Sequence, residues 1–130
     1  MKLEHVALNV SDPQAIADWY VQNLGMTYAK QSTASPFVTF VSDDGGKMMI
    51  EFYNDPAAGS IPNYAEMNTL LLHVAYVSDD PRADQARLIA AGATFVVERP
   101  LDDGSLLIML RDPWGLALQL VKRAKPMLKS

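Results

Sequence analysis

Four side chains of this 130-residue chain could hold and use a divalent cation, and they fall into two equally spaced pairs. His5 and His73 lie 68 residues apart, and so do Glu51 and Gln119 (73 − 5 = 119 − 51 = 68). Two imidazole nitrogens, a carboxylate and a carboxamide oxygen are donors that suit a borderline divalent ion such as Zn, Ni, Co, Mn or Fe. The chain has no cysteine, which excludes thiolate ligands, thiol nucleophiles and disulfides. A cation held by the quartet would polarise two neighbouring oxygens of a substrate and stabilise the anion left when an adjacent C–H proton departs. Such chemistry needs a base beside the metal. Glu51 is the only carboxylate of the four and so the candidate base, whereas Gln119 ligates through its carbonyl oxygen and takes no proton. A single base suits a proton shuttle on one face of the substrate, as in isomerisation of a hemithioacetal or of an aldose-ketose pair. A two-base epimerase needs a second acid opposite, and Glu4, next to His5, is expected to point to the other face of its strand.

The interval of 68 recurs in the punctuation. Asp12-Pro13 is matched by Asp80-Pro81, Asp44-Gly45 by Asp112-Pro113, and LEHVALNVSDP by LLHVAYVSDDP. Landmarks repeating at one offset imply two copies of one supersecondary unit. Residues 3–10 alternate as a strand, and Asp12 as N-cap with Pro13 at the first helical position starts a helix that Gly25 stops. Strands are expected at 27–31, 37–42 and 47–53. The second half repeats the order: a strand at 70–77, a helix over ADQARLIAA stopped at Gly92, and strands near 94–98, 105–111 and 116–122. The fold class is therefore α+β, built from two pseudo-symmetric βαβββ modules at about 1–54 and 70–123. Residues 55–69, rich in Pro, Ala, Gly and polar residues, join them as a linker, lid or dimer arm. Strand parity sets His5, Ala7 and Asn9 on one face and Val6, Leu8 and Val10 on the other. It likewise groups Met49, Glu51 and Tyr53, then His73, Ala75 and Val77, then Ala117, Gln119 and Val121. The wholly apolar faces need the helices as cover, so the quartet faces a concave, cupped side.

Composition narrows the partners. The length suits a single domain, 1–130, with about half its residues apolar and a fifth charged. No stretch approaches the ~20 apolar residues of a membrane span. The opening MKLEHVAL carries no signal-peptide pattern, so the expected location is cytoplasmic. A net charge of −4, with basic residues gathered only in the tail KRAKPMLK, argues against nucleic acid and leaves a small molecule as the expected ligand.

The opening LEHVALNVSDPQAIADWYVQNLGM, the strand MIEFYN, LLHVAYV and DPWGLALQLV together resemble the vicinal oxygen chelate superfamily. That superfamily includes glyoxalase I, bleomycin-resistance proteins and extradiol dioxygenases. The resemblance spans nearly the whole chain and implies paired βαβββ modules cupped around a metal, with His5, Glu51, His73 and Gln119 at the ligand positions of the glyoxalase I branch. Two departures stand out. The family's final ligand is most often a carboxylate, and here it is Gln119. Where glyoxalase I carries an arginine that helps hold glutathione, this chain has Asn9, so the resemblance does not carry glutathione recognition with it. Members of this length commonly pair, which with uncovered sheet edges implies a homodimer.

Three functions follow in order. The first is a metal-dependent lyase or isomerase of glyoxalase type acting on a small molecule with vicinal oxygens. The second is a non-enzymatic binding or resistance protein of the bleomycin-resistance type, using the cup without a metal. The third is an Fe(II) dioxygenase, since His5, His73 and Glu51 make a two-histidine, one-carboxylate set. It ranks last because dioxygenases of this superfamily place the carboxylate where Gln119 stands. A lone strand histidine is ordinarily a satisfied polar residue; two at symmetric positions, each matched by Glu or Gln, favour a ligand role. Asn9, Met49 and Tyr53 share the faces of the quartet and are candidate substrate contacts, with packing as the plainer role for Met49. Trp19 and Tyr20 read as core, and Asp12, Asp44, Asp80 and Asp112 as caps and turn residues.

Overall fold

The computed structural model describes residues 1–129. The chain divides into two compact units, Met1–Pro62 and Asn63 onward. Each has the same order of elements. The first contains β1 (His5–Asn9), α1 (Pro13–Leu24), β2 (Thr27–Gln31), β3 (Thr39–Ser42) and β4 (Met49–Tyr53), followed by one turn of 3-10 helix at Pro56–Ala58. The second contains β5 (Val74–Val77), α2 (Pro81–Ala90), β6 (Thr94–Pro100), β7 (Leu106–Arg111) and β8 (Ala117–Lys122). The fold is α+β, with two mixed four-stranded sheets ordered β1-β4-β3-β2 and β5-β8-β7-β6.

The repeat holds at the level of single bonds. Asp12 accepts from the Ala15 backbone N–H and Asp80 from that of Ala83, both at 3.1 Å, and each precedes a proline whose fixed φ favours the first helical turn. In the parallel pairs Ala7 lies opposite Glu51 and Ala75 opposite Gln119; Leu8 faces Phe52 and Tyr76 faces Leu120. Every one of these registers is conserved under the 68-residue shift, so Glu51 and Gln119 occupy equivalent lattice points of their sheets.

Helix α1 buries Ile16, Ala17, Trp19 and Tyr20, and the Tyr20 ring packs on Phe52 of β4 at 5.3 Å. Leu8, Val10, Val41, Ile50 and Phe52 complete that core. In the second unit Leu88 of α2 meets a sheet face that buries Ile108, Leu110, Leu118 and Leu120. Burying each such side chain contributes about 1.5–3 kcal/mol. Along β4 Ile50 and Phe52 are buried while Met49, Glu51 and Tyr53 are half-buried, the alternation expected of a strand with one face under a helix.

Six of the eight strands start one to four residues later than expected, and two of these late starts have a visible cause. The strand anticipated at 70–77 pairs only from Val74. Asn68 accounts for this: its side-chain oxygen accepts from the Leu70 N–H and its carbonyl from the Leu71 N–H, which bends the chain just before His73. The strand anticipated at 37–42 begins at Thr39, because Phe37 adopts φ 60° and its N–H bonds to Ala34 in a turn. Among the described residues no helix is long and apolar enough to cross a membrane.

Candidate functional site

In the first unit β1 and β4 bring two members of the quartet together. His5 Nε2 lies 3.7 Å from Glu51 Oε2, with the imidazole edge-on to Phe40 of β3 at 5.2 Å between ring centres. Glu51 is mostly enclosed, its side chain 18% exposed, while His5 is 35% exposed. The other ring nitrogen, Nδ1, meets Glu4 Oε1 at 2.9 Å. An ionised carboxylate only accepts, so this contact puts a proton on Nδ1 and turns Nε2 toward Glu51. The sequence expectation for Glu4 is corrected here. Its side chain is exposed rather than packed on the helix face, and its carboxylate turns back to His5.

Beside this pair is a pocket of about 390 Å³ lined by Ala7, Pro36, Val38, Glu51, Tyr53, Asp55, Ala57 and Ala58. Glu51 and Tyr53 enter it from β4, as strand parity requires. The residues around 36–38 and 55–58 were legible only as a strand start and a linker, and they form much of the wall. Asn9, expected as a substrate contact, accepts from the Asp55 N–H at 2.9 Å through its side-chain oxygen, and Asp55 accepts from Ala57 N–H at 2.9 Å. Asn9 therefore anchors the turn that closes one side of the pocket. Met49 is half-buried on β4, opposite His5 in register, and is not among the lining residues. Phe37, between two lining residues, carries the only positive φ of a non-glycine residue among those described, a strained backbone of the kind that gathers at binding sites.

In the second unit His73 lies just before β5 and Gln119 on β8, half-buried. The His73 Nδ1 contacts the Thr69 carbonyl at 2.9 Å. A carbonyl also only accepts, so this ring too carries its proton on Nδ1 and presents Nε2. Residues 63–69 are held in place by Arg111, which donates to the carbonyls of Tyr64 and Met67 at 2.8 Å each. Asp112, as expected, is a turn residue: it accepts from the N–H groups of Trp114 and Leu116 at 2.9 Å each. Among the described residues no three His, Cys, Asp or Glu side chains form a group able to hold a metal. What the structure does bring together is His5 with Glu51.

The model of the Glyoxalase/Bleomycin resistance protein/Dioxygenase superfamily matches residues 2–120. The chain belongs to that superfamily. No curated protein matches it in sequence. Among solved structures it is similar to a member of the same superfamily from Sphaerobacter thermophilus, at TM-score 0.73 and 19% identity, covering 95% of this chain and 98% of that one. It is also similar to an antibiotic-binding protein from Streptomyces sp. CB03234, at TM-score 0.70 and 20% identity over 92% and 93% of the two chains. A lactoylglutathione lyase from Agrobacterium tumefaciens aligns at TM-score 0.67 and 17% identity over 92% and 91%. Identities this low establish the shared fold alone. The metal that superfamily members commonly use can be tested against the residues present here. Two donors of one tetrahedral ion bound at ~2.1 Å stand roughly 3.4 Å apart, and His5 Nε2 and Glu51 Oε2 are 3.7 Å apart, beyond hydrogen-bond reach. The pair fits a shared cation, and Nδ1–H bonded to oxygen is the arrangement of a ligating histidine.

Proposed function

We propose that this superfamily member is a metal-dependent lyase or isomerase of glyoxalase type, acting on a small molecule with vicinal oxygens. The observation that carries the reading is the His5–Glu51 pair, 3.7 Å apart at the margin of a pocket that Glu51 itself lines. His5 and Glu51 of the first unit, with His73 and Gln119 of the second, are the proposed ligands. Both histidines offer Nε2 while an oxygen holds Nδ1, which supports the same role for each. A bound divalent ion supplies Lewis acidity toward the substrate oxygens. Glu51 accepts the C–H proton and returns it to the neighbouring carbon, and Tyr53 with Val38 and Pro36 holds the substrate against it. Asn9 fixes the wall through Asp55. The protein acts as a cytoplasmic homodimer on this reading, with no nucleic-acid or membrane partner.

The experiment follows exchange of that proton. Protein loaded with Zn, Ni, Co, Mn or Fe(II) is incubated in D2O with a panel of α-hydroxyketones and hemithioacetals, and C–H loss is read by NMR. Exchange on at least one compound is expected, removed by a chelator and absent in Glu51→Gln. Exchange at the wild-type rate by Glu51→Gln would take the base role away from that residue.

A second reading, a non-enzymatic small-molecule binding protein, has its own support. Five of the eight residues lining the pocket are Ala, Pro or Val, a surface that sequesters an apolar compound without chemistry. Saturable binding to metal-free protein with no exchange in any metal form would favour it.

A further inference from the structure

We infer that Glu4 is the positioning residue for His5: its carboxylate fixes which ring nitrogen faces Glu51. The inference rests on the metal-ligand reading of His5. The geometry is a short chain of contacts, Glu4 Oε1 to His5 Nδ1 at 2.9 Å and His5 Nε2 to Glu51 Oε2 at 3.7 Å. The Glu4 backbone is itself fixed, because its carbonyl accepts from the Met49 N–H at 2.9 Å and extends the β1–β4 pairing past His5. Its side chain is 72% exposed and contributes nothing to the core. The second unit offers an internal comparison. There the position equivalent to Glu4 is Leu72, which has no acceptor, and the His73 Nδ1 is held by the Thr69 carbonyl instead. Two unrelated oxygens thus hold the Nδ1 of two rings one repeat apart. Packing alone does not demand that, whereas presentation of Nε2 as a donor does. Of the two devices only Glu4 is a side chain, so it is the one that substitution can remove.

The test uses the full chain with Zn as the probe. Glu4→Ala should weaken Zn binding roughly 10- to 100-fold in calorimetric titration, the range expected when a partner behind a ligating histidine is lost. Glu4→Gln should recover part of that loss, because its carbonyl oxygen still accepts from Nδ1–H. Long-range 1H–15N spectra of the metal-free protein, recorded well above neutral pH, should show His5 protonated on Nδ1 in the wild type and in Glu4→Gln. In Glu4→Ala that preference should be lost while His73 is unchanged, the latter confirming an intact fold. Equal Zn affinity and an unchanged His5 tautomer in Glu4→Ala overturn the inference. If the wild type binds no Zn, the metal reading fails, and the tautomer spectra alone still decide whether Glu4 orients the ring.

Discussion

Residue by residue, the difference that matters most is Glu51 against Gln119. They sit at equivalent points of two sheets, opposite Ala7 and Ala75, yet only one is able to take a proton. Glu51→Gln keeps an oxygen donor where the carboxylate stood, so part of the metal affinity should survive. Turnover should not, since loss of a positioned base costs typically ~10²–10⁴-fold in rate. The rate of solvent exchange measured beside metal content separates the two effects. The His5–Glu51 pair was legible because chemistry-bearing types recur at one interval. Glu4 was not. Alternation predicts the face a side chain leaves from, and the exposed Glu4 carboxylate turns back to the neighbouring ring instead. Asn9 was placed on the correct strand, but its partner is the Asp55 backbone, a contact 46 residues away that no local pattern encodes.

Among the elements, the caps and turns transmit the repeat into geometry. Asp12 and Asp80 start the helices, and the buried Asp112 closes the β7–β8 turn that leads into Gln119. Gly115 in that turn has φ +94°, and a β-carbon there would sit 2.6 Å from the backbone of Ala65. Gly115→Ala should therefore destabilise the protein by about 2 kcal/mol or more, the range for clashes and strained backbone. It is read as a lower urea midpoint with unchanged slope; an unchanged midpoint would contradict this packing. Most element boundaries were legible from Pro, Gly and alternation. Two of the exceptions share a cause, local hydrogen bonds that compete with the ladder. Asn68 captures the N–H groups of Leu70 and Leu71 and delays β5, and the turn at Phe37 delays β3. Composition marked 55–69 as irregular. It did not reveal that the stretch is divided, with Asp55, Ala57 and Ala58 lining the pocket and 63–69 tied to Arg111.

For the whole molecule, the two sheets leave β1, β2, β5 and β6 as edges. Large apolar side chains stay open on and beside β5: Val77 is 87% exposed, Leu71 76% and Leu70 71%. Uncovered edges with apolar neighbours favour association, and the protein is expected to be a homodimer in solution. Light scattering at tens of micromolar should give twice the chain mass, and Val77→Lys should shift it toward the monomer. A monomeric mass for the wild type would refute the expectation. The core of each unit lies under its own helix, so substitution of His5, Glu51, His73 or Gln119 should leave the fold intact.

Elemental analysis of the purified protein tests the proposed metal binding most directly. After incubation with excess Zn, Ni, Co, Mn or Fe(II) and removal of free ions, the wild type should retain one equivalent of at least one of them per chain. His5→Ala and His73→Ala should each lose it, with circular dichroism unchanged. Stoichiometric metal kept by both variants, or none held by the wild type, would contradict the account.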